Sequence, residues 1–393
     1  MVKLFSLLGS TGSIGITSLK IVDKKKKYFK PYFFSSDKNF HLISKQIIKY
    51  KPTFFLVKDF NVFQKVKKKF KYHKTKILNK LETKQLTKKS DITISAIPGI
   101  AGLEPTLIMT KKSKKILLAN KESIICGWHL INNLASRYKT KVIPIDSEHF
   151  SIFNILKGNS LRKVEKVYIT ASGGPFLGFN KNQLKKIKPR QALKHPKWKM
   201  GKKISVDSST LMNKALELIE AQKLFKIPFK KLEILVHPQS LVHAIIKFQN
   251  GLTKFIYHQT SMIIPIANAI FDNDINIKKL IKEKKIIKKI ENLSFNLPDY
   301  KNFPILKILH KLNEFPSSSI IVNAANEVLV ETFLKHKMPF LGITALIEKI
   351  LKDRNYKKYA IRKPKDLKQI IIINKWAKEA TKKKIYEHYK KNF

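Results

Sequence analysis

The chain reads as an α/β protein in three parts: a doubly wound parallel sheet in residues 1–146, a central α+β region in 147–275 and a helical region in 301–393, with 276–300 as a connector. Three observations predict this. Short apolar runs alternate with helical stretches as far as residue 146, as successive strand–helix units require. A glycine loop joins the first run to the first helix, the usual place for a tight strand-to-helix turn in such a sheet. Beyond Phe303 the apolar spacing is helical, as at Ile320, Ala324, Val328 and Phe333.

Leu4-Phe5-Ser6-Leu7-Leu8 is the first predicted strand, followed by a helix through Val22. Tyr32-Phe33-Phe34-Ser35 and Thr53-Phe54-Phe55-Leu56-Val57 are the second and third. Residues 91–97, 116–119 and 142–145 supply three more. In the central region, residues 164–170 and 232–236 read as strands. Residues 242–248 and 252–259 flank Asn250-Gly251, a strong hairpin signal. Residues 276–289 are Lys-rich with little turn chemistry and read either as a helix or as a charged connector.

The 393 residues carry a formal net charge of +53, with 43% hydrophobic residues. Such charge suggests a polyanion partner, but the cations are nearly all Lys, with Arg at positions 137, 162, 190, 354 and 362 alone. Base readout and phosphate forks favour Arg, whereas Lys suits a solvated face. The lysines are spread along the whole chain, and Ile, Phe and Asn are abundant beside them, as an AT-rich coding sequence produces. Neither a specific nucleic-acid partner nor a membrane partner is therefore expected. The single cysteine, Cys126, forms no intrachain disulfide. No apolar run approaches a membrane span, and the apolar start is too short for a signal peptide. A cytoplasmic protein is expected.

Gly9-Ser10-Thr11-Gly12-Ser13-Ile14-Gly15 combines free backbone N–H groups with a helix start, which attracts phosphate. Its spacing is G-x-x-G-x-x-G, so a plain tight turn is the competing reading. The second strand ends in Asp37-Lys38-Asn39. An acid there would hold a ribose 2′-hydroxyl, and a cation with an amide would hold a 2′-phosphate. The pair Lys38 and Asn39 favours NADPH, against Asp37.

Acids are scarce, yet Asp146-Ser147-Glu148-His149 follows the last strand of the first region. Extended backbone would point Asp146 and Glu148 the same way, and two such carboxylates favour a hard divalent cation between them. Alternatively, Asp146 or Ser147 caps the helix that follows. Residues 207–217 read as a helix start on which Asn213, Lys214 and Glu217 share a face. That face suits a phosphate and offers a third carboxylate, or it is an ordinary surface pair. Ala171-Ser172-Gly173-Gly174-Pro175-Phe176 offers N–H groups and a hydroxyl to an anion, or is a structural turn. His195-Pro196-Lys197-Trp198-Lys199-Met200-Gly201 reads as a lid or as a Trp-anchored loop.

Taken together, these stretches resemble the 1-deoxy-D-xylulose 5-phosphate reductoisomerases. The likeness runs from Gly9 to at least Glu327 and also includes Ala119-Asn120-Lys121-Glu122-Ser123, Val236-His237-Pro238-Gln239-Ser240 and Asn323-Ala324-Ala325-Asn326-Glu327. It implies an NADPH-dependent enzyme that rearranges and reduces 1-deoxy-D-xylulose 5-phosphate to 2-C-methyl-D-erythritol 4-phosphate on the non-mevalonate isoprenoid route. It further implies a homodimer with a Rossmann-like NADPH domain, a central catalytic domain and a helical C-terminal domain.

By the same resemblance Asp146, Glu148 and Glu217 are the ligands of a divalent metal, Mg²⁺ or Mn²⁺ with Co²⁺ as a third choice. Ser172, Ser208, Asn213 and Lys214 hold the substrate phosphate, and Lys121, Ser147 and His195 are further substrate contacts. Trp198 and Met200 form the lid. Thr11, Gly12, Ser13, Ile14, Lys38, Asn39, Asn120, Glu122 and Gly201 contact NADPH. The chain departs from the family pattern at Asp37, Leu177, Ala215 and Ser261-Met262-Ile263. The rival readings are a simple NAD(P)-dependent sugar-phosphate dehydrogenase and a basic polyanion-binding protein.

Overall fold

The computed structural model describes residues 2–198, 200–281 and 292–389. The chain divides into two compact units. The first comprises Met1–Ser123, Trp128–Phe153 and Ser261–Ile286; the second comprises Ile124–Gly127, Asn154–Thr260 and Ile287–Phe393.

The first unit is built on seven parallel strands: β1 (Lys3–Leu8), β2 (Phe29–Ser36), β3 (Phe54–Val57), β4 (Lys76–Leu78), β5 (Ser90–Ser95), β6 (Ser113–Leu118) and β7 (Lys141–Pro144). Their order, β4-β3-β2-β1-β5-β6-β7, is doubly wound, and it reverses direction between β1 and β5. Strands covered on both faces need continuous apolar runs, and Phe5, Phe33, Phe34 and Phe55 are fully buried. Six of the seven strands follow the expected runs. The seventh, β4, is three residues at a sheet edge, too short to carry a periodic signal. Helices α1 (Ser13–Lys24), α2 (Phe40–Tyr50), α3 (Phe60–Lys69), α4 (Leu103–Lys111), α5 (Lys121–Tyr138) and α6 (Ser147–Leu156) connect or follow the strands.

The second unit contains a four-stranded mixed sheet of β8 (Val164–Ala171), β9 (Leu232–Val236), β10 (Val242–Phe248) and β11 (Thr253–Tyr257), in the order β11-β10-β8-β9. β10 and β11 form the antiparallel hairpin expected at Asn250-Gly251. Gly251 has φ +84°, a conformation that glycine adopts without steric cost. The unit also holds α7 (Lys181–Lys185), α8 (Pro189–Ala192), α9 (Lys202–Ser209) and α10 (Met212–Phe225). The motif around His237 is a structural turn. His237 Nε2 accepts the N–H groups of Leu241 (3.1 Å) and Val242 (3.2 Å), so Nδ1 carries the proton and donates to Ser294 O (2.9 Å). Burial holds this imidazole below its ordinary pKa, and the Ser294 bond partly opposes the shift.

One helix in the first unit has no counterpart in the sequence reading: α11 (Ile263–Phe271). It packs into the apolar core of that unit through Ile266, Ala267 and Ile270. Lys115 on β6 donates to its last carbonyls, Ala269 O (3.0 Å) and Ile270 O (3.1 Å), and to Asp272 (2.8 Å). These bonds satisfy groups that a helix C-terminus leaves open.

The C-terminal part of the second unit is helical, with α12 (Ser318–Leu334), α13 (Gly342–Leu351), α14 (Tyr356–Ala360) and α15 (Leu367–Tyr389). Ile320, Ala324, Val328 and Phe333 are all buried on α12, as their spacing predicts. Of the Lys-rich segment 276–289, Ile277–Lys279 is a single 3-10 turn, and residues 282–289 lie outside the described residues.

Candidate functional site

In the first unit, the glycine loop leaves β1 beside the point where the strand order reverses. Gly9 has φ +79°, and a Cβ there would lie 2.6 Å from Ala96 O. A Cβ on Gly15 would lie 2.3 Å from Gly9 O, so the loop closes on itself and on β5. Ser35 O receives the N–H groups of Gly9 (3.1 Å) and Ser10 (2.8 Å), and Thr11 Oγ1 lies 2.5 Å from Ser36 Oγ. Gly12 N–H donates to Gly9 O (3.1 Å) within the loop, and Gly12 begins α1 with no side-chain cap, so Ser13 and Ile14 present their N–H groups at the helix's positive end.

Asp37 and Lys38 are exposed at the start of α2, where the Asn39 side chain caps the helix by accepting Leu42 N–H (3.0 Å). That leaves the Asn39 NH₂ and the Lys38 ammonium as donors. Asn120 caps α5 in the same way, accepting Ser123 N–H (2.5 Å). Its NH₂ bonds Ile97 O, Gly99 O (3.0 Å) and Glu122 Oε2 (3.3 Å). Lys121 and Glu122 are buried in the first turn of α5.

Asp146 and Glu148 meet, but not by strand alternation. Residues from Ser147 onward are helical, and Asp146 is the N-cap of α6: its carbonyl accepts Phe150 N–H (2.8 Å) and its Oδ1 accepts Glu148 N–H (3.3 Å). Capping and carboxylate pairing therefore coexist. The helical turn brings a ligand oxygen of each acid within 4.8 Å of the other. Ser147 Oγ donates to Glu148 Oε2 (2.5 Å). Lys121 Nζ lies 3.9 Å and His149 Nδ1 3.5 Å from Asp146.

In the second unit, His195 has an assignable tautomer. Its Nδ1 accepts two backbone N–H groups, from Lys197 (3.1 Å) and Trp198 (2.9 Å), so the proton sits on Nε2. Nε2 then donates to Ser172 Oγ (3.1 Å), which also accepts Gly174 N–H (3.2 Å). With both acceptor positions engaged, the Ser172 hydroxyl proton is left for a further acceptor. Burial, helped by the Lys214 ammonium, pushes the His195 pKa down to about 4. Trp198 lies half-buried, edge-on to His243 at 6.0 Å. His243 is itself stacked on His258 at 4.0 Å. Met200 is also half-buried, and Gly201 is the N-cap of α9.

The stretch 207–217 is not one helix start. α9 ends at Ser209, Leu211 takes a left-handed conformation (φ +58°), and α10 begins at Met212. Thr210 bridges the break, its Oγ1 bonding Val206 O (3.3 Å) and Asp207 O (3.2 Å). Asn213 and Lys214 thus occupy the first turn of α10. Glu217, one turn on and 1% exposed, accepts Asn213 Nδ2 on Oε1 and Lys214 Nζ (2.7 Å) on Oε2. The Ser172 loop reaches the same place, because a Cβ on Gly174 would lie 2.9 Å from Ser208 O.

In the first unit Lys121, Asp146 and Glu148 thus come together, and in the second Ser172, His195, Ser208, Asn213, Lys214 and Glu217 do. His149, His243, His258 and Asp207 adjoin them and had no role in the sequence reading. A histidine inside an apolar strand run, as at His243, was the available signal.

Three family models match. The 1-deoxy-D-xylulose 5-phosphate reductoisomerase model covers residues 5–127, its C-terminal-domain model 142–225, and the DXP reductoisomerase C-terminal-domain model 258–380. The 1-deoxy-D-xylulose 5-phosphate reductoisomerase of Pelagibacter ubique (strain HTCC1062) is 42% identical over 95% of this chain and 97% of its own. That of Clostridium novyi (strain NT) is 36% identical over 94% and 96%. A crystal structure of DOX-P reductoisomerase in complex with NADPH, fosmidomycin and magnesium shares 28% identity at a TM-score of 0.90, covering 98% of each chain. The Zymomonas mobilis enzyme in complex with NADPH gives 29% and 0.88, covering 98% of this chain and 99% of that one. With likeness at this level along nearly its whole length, the chain belongs to the 1-deoxy-D-xylulose 5-phosphate reductoisomerase family.

Proposed function

We infer that the chain is an NADPH-dependent reductoisomerase that converts 1-deoxy-D-xylulose 5-phosphate into 2-C-methyl-D-erythritol 4-phosphate with a divalent cation. The observation that carries this is the near-full-length likeness to reductoisomerases at 42% identity. Under this reading Thr11, Gly12, Ser13, Ile14, Lys38, Asn39, Asn120, Glu122 and Gly201 hold NADPH. Asp146, Glu148 and Glu217 hold the cation, and Ser172, Ser208, Asn213 and Lys214 the substrate phosphate. Lys121, Ser147 and His195 contact the substrate further, and Trp198 with Met200 covers it. A homodimer, the division into NADPH domain (1–146), catalytic domain (147–275), connector (276–300) and helical domain (301–393), and a cytoplasmic setting where NADPH is available complete the proposal. Nothing in this chemistry calls for a nucleic-acid or membrane partner. Among the described residues, no helix is long and apolar enough to cross a membrane.

The donor sets fit both groups. Carboxylate oxygens without thiols suit Mg²⁺ or Mn²⁺, and the glycine loop with its uncapped helix start suits a pyrophosphate. When bound, the cation supplies polarisation of the substrate carbonyl and NADPH supplies the hydride. The chain's own residues do the rest. Ser172, oriented by His195, aims its hydroxyl at a phosphate oxygen, while Asn213 and Lys214 add donors from a helix N-terminus. Binding energy gathered at that phosphate holds the reacting carbons in place. Trp198 and Met200 exclude water from them.

The test is NADPH oxidation with 1-deoxy-D-xylulose 5-phosphate, with and without Mg²⁺ or Mn²⁺, with the product identified. Metal-dependent oxidation that yields a branched product is expected. Oxidation yielding an unbranched alcohol would instead favour the simple dehydrogenase.

Two further results are expected. His195 should remain neutral down to about pH 4, because burial disfavours its cation. Since the folded value lies below the ordinary imidazole value of 6.5, its contribution to stability is present above 6.5 and is lost as pH falls toward 4. An imidazole NMR titration of His195 centred near 6.5 would contradict this. Replacing exposed Asp37 with glycine should lower KM for NADPH roughly two- to fivefold by removing repulsion at the 2′-phosphate. An unchanged NADPH-to-NADH preference would show that Asp37 does not act on the 2′-phosphate.

A further inference from the structure

Asp207 occupies a place where local energetics disfavour it. It lies in the last turn of α9, where the helix dipole opposes a carboxylate, and its side chain is 2% exposed. Both of its oxygens are engaged. Oδ2 accepts Lys203 Nζ (2.8 Å), one turn back on α9. Oδ1 accepts Asn326 Nδ2 (2.7 Å) from α12, 119 residues away in sequence, and Asn326 is fully buried.

The backbone that Asp207 anchors is the backbone that the phosphate site uses. Ser208 follows it directly, and Ser208 O lies where a Cβ on Gly174 would collide at 2.9 Å. The Ser172 turn and the end of α9 therefore fit only in one relative position. After Ser208 the chain breaks at Leu211 and restarts as α10 with Asn213 and Lys214. A break of this kind, with no proline or glycine to define it, needs an external point of attachment. Asn326, held in the middle of the buried helix α12, is one.

We propose that Asp207 is a positioning residue for the substrate phosphate, fixing Ser208 against the Ser172 turn through its bond to Asn326. This rests on the phosphate site proposed above. Asp207 touches no substrate atom; it sets where Ser208 stands. The negative charge itself disfavours a neighbouring phosphate, with Lys203 offsetting part of it. Positioning and simple electrostatics thus predict opposite signs for its removal.

The test compares Asp207→Ala, Asp207→Asn, Asn326→Ala and the double alanine variant, with Ser208→Ala as a control, in the full-length enzyme. Asp207→Ala should raise KM for 1-deoxy-D-xylulose 5-phosphate about 10- to 100-fold. KM for NADPH should stay within about twofold, because positioning at the phosphate leaves the cofactor's binding unchanged. Asp207→Asn, whose carbonyl still accepts Asn326 Nδ2, should recover most of the loss. Asn326→Ala should behave as Asp207→Ala does, and the double variant should cost little more than either alone, because both act through one bond. A lowered substrate KM in Asp207→Ala or Asp207→Asn would show that electrostatics dominates and overturn the proposal. So would an equal rise in both KM values alongside a falling melting temperature, which marks a merely structural residue. If Ser208→Ala raises substrate KM and Asp207→Ala does not, positioning fails while the phosphate site stands. If Ser208→Ala changes nothing, the phosphate site itself fails.

Discussion

Glu217→Gln should lower turnover by about 10²- to 10³-fold, equivalent to roughly 3–4 kcal/mol of lost transition-state stabilisation, while the protein remains folded. The side chain is 1% exposed and its two oxygens accept Asn213 Nδ2 and Lys214 Nζ. A glutamine matches it in volume. Its carbonyl can stay toward Lys214, and its NH₂ can face Asn213 if that amide flips. Packing survives the change; the negative charge does not. Two effects follow from the lost charge. A proposed metal ligand becomes a neutral, weak donor, and the Lys214 ammonium loses its charged partner at 2.7 Å. The first should weaken Mn²⁺ binding, readable by electron paramagnetic resonance without turnover. The second should raise substrate KM. Glu217→Asp, which keeps the charge one methylene short, should fall between. Near-wild-type turnover with unaltered Mn²⁺ affinity would remove Glu217 from the ligand set.

Much of the first unit was legible because a parallel sheet buried on both faces has to be written in uninterrupted apolar runs. Phe5, Leu7, Phe33, Phe34, Phe55, Ile92, Ile94, Ile116 and Leu117 are all 1% exposed or less. The hairpin at Asn250-Gly251 was legible for a different reason, since its glycine answers a backbone demand, φ +84°. What escaped were elements whose cause lies elsewhere in the chain. β4 is defined by pairing with β3 more than by its own Lys76-Ile77-Leu78. α11 is placed by burial of Ile266 and Ile270 and by the amine of Lys115, over 150 residues earlier.

At the candidate site the residue types were readable and their arrangement was not. Asp146 and Glu148 stand together as expected, but on a helical turn instead of an extended strand. The break between α9 and α10 carries a leucine at φ +58°, a conformation that costs a β-carbon-bearing residue about 1–2 kcal/mol and that no local pattern announces. The tautomer of His195 depends on two backbone N–H groups of its own loop, a detail of geometry alone. The bond from Asp207 to Asn326 joins two segments whose resemblance to the family was visible separately and whose contact was not.

The glycine loop yields the second large expected effect, and it separates two roles that one motif confounds. Gly15→Ala would place a methyl group 2.3 Å from Gly9 O and 2.7 Å from Ser10 C and Cα. All three are backbone atoms in a turn pinned by Ser35 O and by the Gln46 side chain, which donates to Ser10 O (2.9 Å). None can swing aside as a flexible side chain would. The loop must shift as a body, at a cost of about 1–3 kcal/mol or more by analogy with overpacked cores. Over a chain of 393 residues that corresponds to a fall of roughly 1–4 °C in the melting temperature. The same shift moves the N–H groups of Ser13 and Ile14, so NADPH affinity should drop at least about tenfold. Gly12→Ala is the informative contrast. Its Cβ would meet Gly9 O at an ordinary 3.4 Å, and its φ of −76° suits any residue. Gly12→Ala should therefore leave the melting temperature nearly unchanged and reduce NADPH affinity only through its methyl group at the exposed helix start. Calorimetry together with cofactor titration on the two variants decides the matter. If both lose stability equally, the loop's closure on Gly15 is not what holds it. If neither loses affinity for NADPH, the cofactor does not use this helix start.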